Sequence, residues 1–116
     1  MYKNFIALPL RVVVMLGFIA LSSLGSAAGD PAAGKSLYMV CSSCHGSSGE
    51  GNQSLNSPPL AGVPAWYTAR QLTNFKEGVR GTNPKDVYGM QMRPMAMTLT
   101  SQKAIDDVSA YIESLK

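Results

Sequence analysis

The chain has 116 residues, with ten Lys/Arg, seven Asp/Glu, one His and two Cys. The formal charge of +3 does not amount to a basic binding surface, because Lys3 and Arg11 lie in an N-terminal segment that reads as removable; the remainder carries eight Lys/Arg against seven Asp/Glu, and no nucleic-acid partner is expected. What remains is one small domain of about 88 residues, whose apolar core is marginal without a staple.

The opening stretch "MYKNFIALPLRVVVMLGFIALSSLGSAAGD" carries Lys3 and Arg11, then an apolar run from Val12 to Leu21, then small residues. That is the layout of a secretory signal peptide over residues 1–28. Ser26 and Ala28 match the small-x-small cleavage rule, so the mature chain is expected to span residues 29–116. Export would place it in the periplasm. Without cleavage the segment would be a membrane anchor, but its apolar run is shorter than the roughly 20 residues that a span needs.

Next, "GDPAAGKSLYMV" offers Asp30 as helix cap and Pro31 at the first helical position, with helix formers as far as Cys41. Gly34 lies one turn before Tyr38, where a glycine would let a second helix cross closely; the C-terminal helix, through Tyr111, is the candidate partner. The run "CSSCH" then uses both cysteines and the only histidine. Two cysteines and one histidine fall short of the four ligands of a zinc site, and the βαβ setting of a redox dithiol is absent. Cys-x-x-Cys-His is the attachment signature of c-type haem. Cys41 and Cys44 would bond to the porphyrin vinyl groups, and His45 would be carried under the iron as its proximal ligand. One covalent haem c would also replace much of the missing core.

"GSSGEGNQSLNSPPLAGV" reads as an extended loop, and a second helix is expected from Pro64 to a stop at Gly78, with Leu72 and Phe75 on an inward stripe that Trp66 or Tyr67 joins. "GMQMRPMAMTLT" brings Met90, Met92, Met95 and Met97 together in a loop before the last helix, whose cap is expected at Thr100. Methionines commonly fill apolar gaps; a metal-binding sulfur is the alternative. In the last helix Ile105, Val108, Ile112 and Leu115 recur at helical spacing. No segment alternates as a strand does, so the expected fold is all-α, three main helices around one haem.

On "CSSCHG", "PPLAG", "QLTNFKEGVRG", "MRPMAMTLT" and "VSAYIESL", residues 30–116 resemble the small class I c-type cytochromes, and most of all one half of their bacterial dihaem branch. With a single haem motif the chain would be a monohaem relative. The resemblance implies His/Met ligation and one-electron transport rather than enzymatic catalysis. It gives Pro58, or Pro59 beside it, as the carbonyl that orients His45, and Leu60, Tyr67 and Leu72 as pocket lining, with Arg70 either near a propionate or simply solvated. Counting back from Leu99 it makes Met92 the distal ligand; counting from Tyr111, as in shorter relatives, makes it Met95. Met90 and Met97 would pack. The implied partners are redox proteins such as a respiratory reductase and a terminal oxidase or dehydrogenase, met transiently at the haem edge by "CSSCH", with a transient membrane-surface contact also compatible. The competing reading is a haem subunit or a gas-binding or peroxidase-like protein with a weak or displaced methionine.

Overall fold

The computed structural model describes residues 28–116, so the leader expected over residues 1–28 lies, save its last residue, outside the described residues. Five helices follow in order: α1 Pro31–Leu37, α2 Met39–His45, α3 Ala65–Lys76, α4 Val87–Met97 and α5 Gln102–Ser114. A 3-10 turn at Gln53–Leu55 interrupts the long loop. Among the described residues there is no strand, only an isolated bridge between Asn52 and Ser57. No helix among them is long and apolar enough to cross a membrane.

Asp30 caps α1 as its sequence suggests, its carboxylate accepting the Ala32 N–H, with Pro31 at the first helical position. The helix does not stop at Cys41. Tyr38 keeps a helical backbone between α1 and α2, and α2 continues to His45, so the whole Cys-x-x-Cys-His run is helical. Gly46, at φ +86°, ends it.

On α3 the inward stripe is Thr68, Leu72 and Phe75, whereas Trp66 and Tyr67 are exposed. Thr68 lies four residues before Leu72 and seven before Phe75, a spacing that keeps all three on one face. Trp66 and Tyr67 fall outside it. Gly78, at φ +77°, terminates the helix as expected.

The methionine segment departs most from the sequence reading, since it is helix α4 rather than a loop; with the first expected helix divided into α1 and α2, it brings three expected main helices to five. Gly89 and Pro94 read as breakers because each disfavours a helix interior. Here Asp86 caps the helix, accepting the Gly89 N–H at 2.9 Å; a Cβ on Gly89 would run into that capping carboxylate, and the facing Gly81 lets the helix approach closely, since a Cβ there would lie 2.3 Å from the Gly89 carbonyl oxygen. Tertiary contact along Gly89 and Ala96 thus overrides the local signal. The last helix is capped by Ser101, one residue after the expected Thr100, through the Ala104 N–H.

The core lies where Ile105, Val108 and Ile112 of α5 meet Leu72 and Phe75 of α3, Leu99, and Tyr38. Leu115 packs at its margin. Helix α1 crosses α5 at Gly34, where a Cβ would lie 2.0 Å from the Asp107 carbonyl oxygen and 2.9 Å from Tyr111 Cβ. Gly34→Ala should therefore lower the thermal unfolding midpoint. The clash, about 1–3 kcal/mol for overpacking, outweighs the roughly 1 kcal/mol that Ala gains in helix propensity.

A polar clasp closes the same crossing. The buried Asp107 carboxylate accepts the Lys103 ammonium at 2.6 Å and the Asp30 N–H at 2.8 Å. The Lys103 hydrogen bond, then the Asp30 N–H, holds its carboxyl below the usual carboxylate range. A carboxylate lowered in the folded state stabilises above its unfolded pKa, and that contribution fades as pH falls through the folded value. Asp107→Asn should thus melt at a lower temperature than the parent chain at pH 7. The gap should close as pH drops below about 3.8, which paired melting curves across acid pH would read.

Candidate functional site

The site is built from the end of α2. Cys41 is half-buried against the core and Cys44 is exposed, while His45 between helix and loop is buried. Burial pushes the Cys41 thiol up. Tyr38, pushed up to about 12 chiefly by burial, stays a neutral phenol and donates its hydroxyl to the Gly46 carbonyl at 2.8 Å, while its ring packs 5.3 Å from that of Tyr111. This ties the turn after His45 to α5.

The loop then folds back on the histidine. Gly51 N–H donates to the His45 carbonyl at 2.7 Å, the Leu60 and Ala61 N–H groups both donate to the Gly49 carbonyl, and Asn52 pairs with Ser57. A Cβ on Gly51 would lie 2.6 Å from Pro59 N, so the loop can close only with glycine at that point. Closure brings the Pro58 carbonyl to 2.8 Å from His45 Nδ1. Of the two prolines it is Pro58, not Pro59, that faces the ring. A carbonyl can only accept, so Nδ1 carries the proton and Nε2 presents its lone pair.

Helix α4 supplies the other wall. At 3.6 residues per turn, Tyr88, Met92 and Met95 fall on one flank of the buried line through Gly89 and Ala96. Met90 and Met97 fall on the other. Tyr88 lines a cleft of about 480 Å³ together with residues 50–53 and 56–59, including Pro58, so the Met92 flank is the one turned toward the histidine loop. Met92 is half-buried and packs on the core, whereas Met95, Met90 and Met97 are 38, 47 and 48 % exposed. Arg93 and Pro94 do not turn the chain after Met92; the helix runs through them.

Leu60 is half-buried against the core and Leu72 is within it. Tyr67 is 45 % exposed and meets Trp66 edge-on at 5.7 Å, and Arg70 is stacked 5.1 Å over the Trp66 ring. Two participants escaped the sequence reading: Tyr38, which anchors Gly46, and Tyr88, which joins α4 to the Pro58 loop. Their spacings, seven residues before His45 and four before Met92, were the available signals.

The donor set fits a haem and not a bare ion. Among the described residues no three His, Cys, Asp or Glu gather as a metal cage. One imidazole with a free Nε2 and two thiols on the preceding helical turn are what a covalently held porphyrin iron requires of this side.

Comparison with known proteins agrees. The family model described as Cytochrome c matches residues 31–116. The chain is 42 % identical over 92 residues to "Cytochrome c4" of Azotobacter vinelandii, an alignment covering 72 % of this chain and 42 % of that protein. With "Cytochrome c-554(547)" of Halothiobacillus neapolitanus it shares 40 % over 94 residues, covering 77 % of this chain and all of the relative. The crystal structure of reduced recombinant cytochrome c4 from Pseudomonas stutzeri superposes with a TM-score of 0.64 at 37 % identity, over 76 % of this chain and 50 % of that one. The chain thus spans half or less of these two cytochrome c4 chains and the full length of the shorter relative. With the helical Cys-x-x-Cys-His run and its oriented histidine, these matches make the chain a member of the cytochrome c family, of class I fold, with one covalent haem c held through Cys41 and Cys44.

Proposed function

We propose that the protein is a periplasmic one-electron carrier in a respiratory chain, with His45 Nε2 and the Met92 sulfur as the two axial ligands. Haem c supplies the Fe(III)/Fe(II) couple. The rest of the reading concerns what the chain does around it. Cys41 and Cys44, three residues apart on α2, would hold the ring by thioethers, and His45, next to Cys44, would offer its Nε2 to the iron. Pro58 accepts the Nδ1 proton, which fixes the ring plane and raises the basicity of Nε2. Leu60 and Tyr67 cover the porphyrin, and Met92 closes the second axial position.

The observation that carries this is the 2.8 Å contact between His45 Nδ1 and the Pro58 carbonyl, with the Met92 flank of α4 turned toward the same loop. Two strong ligands leave no open position for oxygen or peroxide, so the site suits electron transfer and not catalysis. A respiratory reductase as donor and an oxidase or dehydrogenase as acceptor are the partners this implies, with docking transient and of small footprint. Residues 1–28 would act as the cleaved export signal. The test is an optical spectrum of the reduced holoprotein with and without carbon monoxide at neutral pH. An unchanged spectrum is expected; rapid and complete ligand binding would refute the closed site and favour a gas-binding or peroxidase-like haem protein.

A further inference from the structure

Beside the start of α1, helices α3 and α5 flank a cavity of about 200 Å³ lined by Gly29, Ala65, Trp66, Ala69, Asp106 and Ser109. Two polar groups on its wall lack a match. Ser109 is 1 % exposed, and its hydroxyl has no hydrogen-bond partner among the described residues, a state that a buried polar atom rarely keeps. Asp106 accepts one hydrogen bond, from Gln102 Nε2 at 2.9 Å, but no cation pairs with it; the one ion pair among the described residues joins Lys103 to Asp107.

The surroundings are short of positive charge. Lys103 is pushed up first by its hydrogen bond to Asp107, and Asp30 and Asp106 add to the effect, so three carboxylates share one ammonium where α1 crosses α5. On α3, the Arg70 guanidinium is stacked 5.1 Å over the Trp66 ring and makes no ion pair with them. Gly29 is fixed against the same place. A Cβ on it would run into the Asp106 carbonyl and lie 2.8 Å from the Asp107 nitrogen, and the next residue, Asp30, donates its N–H to the Asp107 carboxylate at 2.8 Å. Ala28 lines the cavity as well.

We propose that this cavity seats the protein's own amino terminus: the ammonium that removal of the leader creates at Gly29, paired with the Asp106 carboxylate and donating to Ser109 Oγ. The proposal rests on the reading of residues 1–28 as a cleaved export signal. Hydrolysis of the Ala28–Gly29 bond by water leaves a carboxylate on Ala28 and an ammonium on Gly29, so a neutral amide with one donor becomes a cation with three. A cut one residue earlier delivers the ammonium to the same cavity. Processing thus supplies the positive charge that the carboxylates lack and ties the start of α1 to α5. Gly29 is already held by α5, so the pair forms with little loss of chain freedom, the term that weakens most ion pairs between long side chains. The cavity also leaves room for water around the ion, at roughly 30 Å³ of liquid volume each, which limits the desolvation that enclosed ion pairs suffer.

The test follows the terminal amino group of the isotope-labelled, reduced holoprotein, whose intact mass first identifies the residue that bears it. The Cα shift of that residue is then titrated from about pH 6 to about pH 10.5, a range that spans the ordinary α-amino value. The ammonium should lose its proton above about pH 9, against roughly 7.7–8.0 for an ordinary α-amino group. Asp106→Asn should return it to the ordinary range, and Ser109→Ala, which removes a neutral acceptor, should lower it by a smaller step. Glu77→Gln removes an equal charge about 18 Å along α3 from Ala65 and should leave it unchanged. Asp30, Asp107, Lys103 and Arg70, the other charges around the amino group, stay in every variant. An ordinary value in the parent protein overturns the proposal. So does an equal response to Asp106→Asn and Glu77→Gln, which would assign the effect to net charge alone. A mass that retains residues 1–28, or a start elsewhere, refutes the leader reading and the proposal together, whereas an ordinary titration at Gly29 or Ala28 refutes the seat alone.

Discussion

Met92→Ala should abolish the sulfur-to-iron charge-transfer band of the oxidised protein and lower its reduction potential, while Met95→Ala leaves the band in place. The division follows from the helix. Met92 and Met95 share the flank of α4 that Tyr88 brings against the Pro58 loop, but only Met92 is also packed on the core, where a side chain is held in one direction. Met95, at 38 % exposed, lacks that constraint. Losing a Met ligand from a His/Met pair removes the contribution that raises the potential, so the potential and the band should move together in the Met92 variant. Met95→Ala should destabilise by less than the 2–5 kcal/mol typical of a fully buried Met. Near-infrared spectra and redox titrations of the two variants check both. If the band vanishes in Met95→Ala alone, the ligand is Met95 and the cytochrome reading stands; if neither variant loses it, methionine ligation is wrong.

The same helix shows where sequence was informative and where it was not. Gly34, Asp30, Gly78 and the Ile105, Val108 and Ile112 stripe were legible because each acts through its own conformational preference or a short-range period. The haem motif was legible for a related reason, its chemistry being confined to five consecutive residues. Helix α4 was not. Its Gly89 and Pro94 are locally unfavourable, and what stabilises it, the contact of Gly89 with Gly81 and the double use of the Asp86 carboxylate, joins residues whose meeting only the tertiary fold decides. Trp66 or Tyr67 was expected on the inward stripe for the converse reason: a large aromatic beside an apolar stripe looks inward, yet the stripe is completed by the smaller Thr68. The choice between Pro58 and Pro59 needed the loop's closure at Gly51.

Replacing the residues of the Cys-x-x-Cys-His run should produce the largest losses of folded protein, and not equally. Cys44 is exposed, so Cys44→Ala removes one thioether and almost no packing; Cys41 is half-buried against the core, so Cys41→Ala removes a thioether and apolar contact together. The purified variants should therefore retain some singly attached haem in Cys44→Ala and less in Cys41→Ala, which intact-mass measurement would show. His45→Ala should be more severe than any other single change in the run and its loop, because one imidazole serves two purposes. It is the only histidine available to the iron. Its Nδ1–H is also the donor that holds Pro58, and removing it leaves that carbonyl without its partner, a loss of about 1–3 kcal/mol if the group stays out of water. A domain of about 88 residues has little stability in reserve, so loss of iron ligation and of loop closure together should leave a chain with reduced helical circular dichroism and protease-sensitive residues 46–60. Recovery of His45→Ala with parental helicity and full covalent haem would show that the thioethers alone organise the fold, and that the Pro58 contact follows haem attachment instead of supporting it.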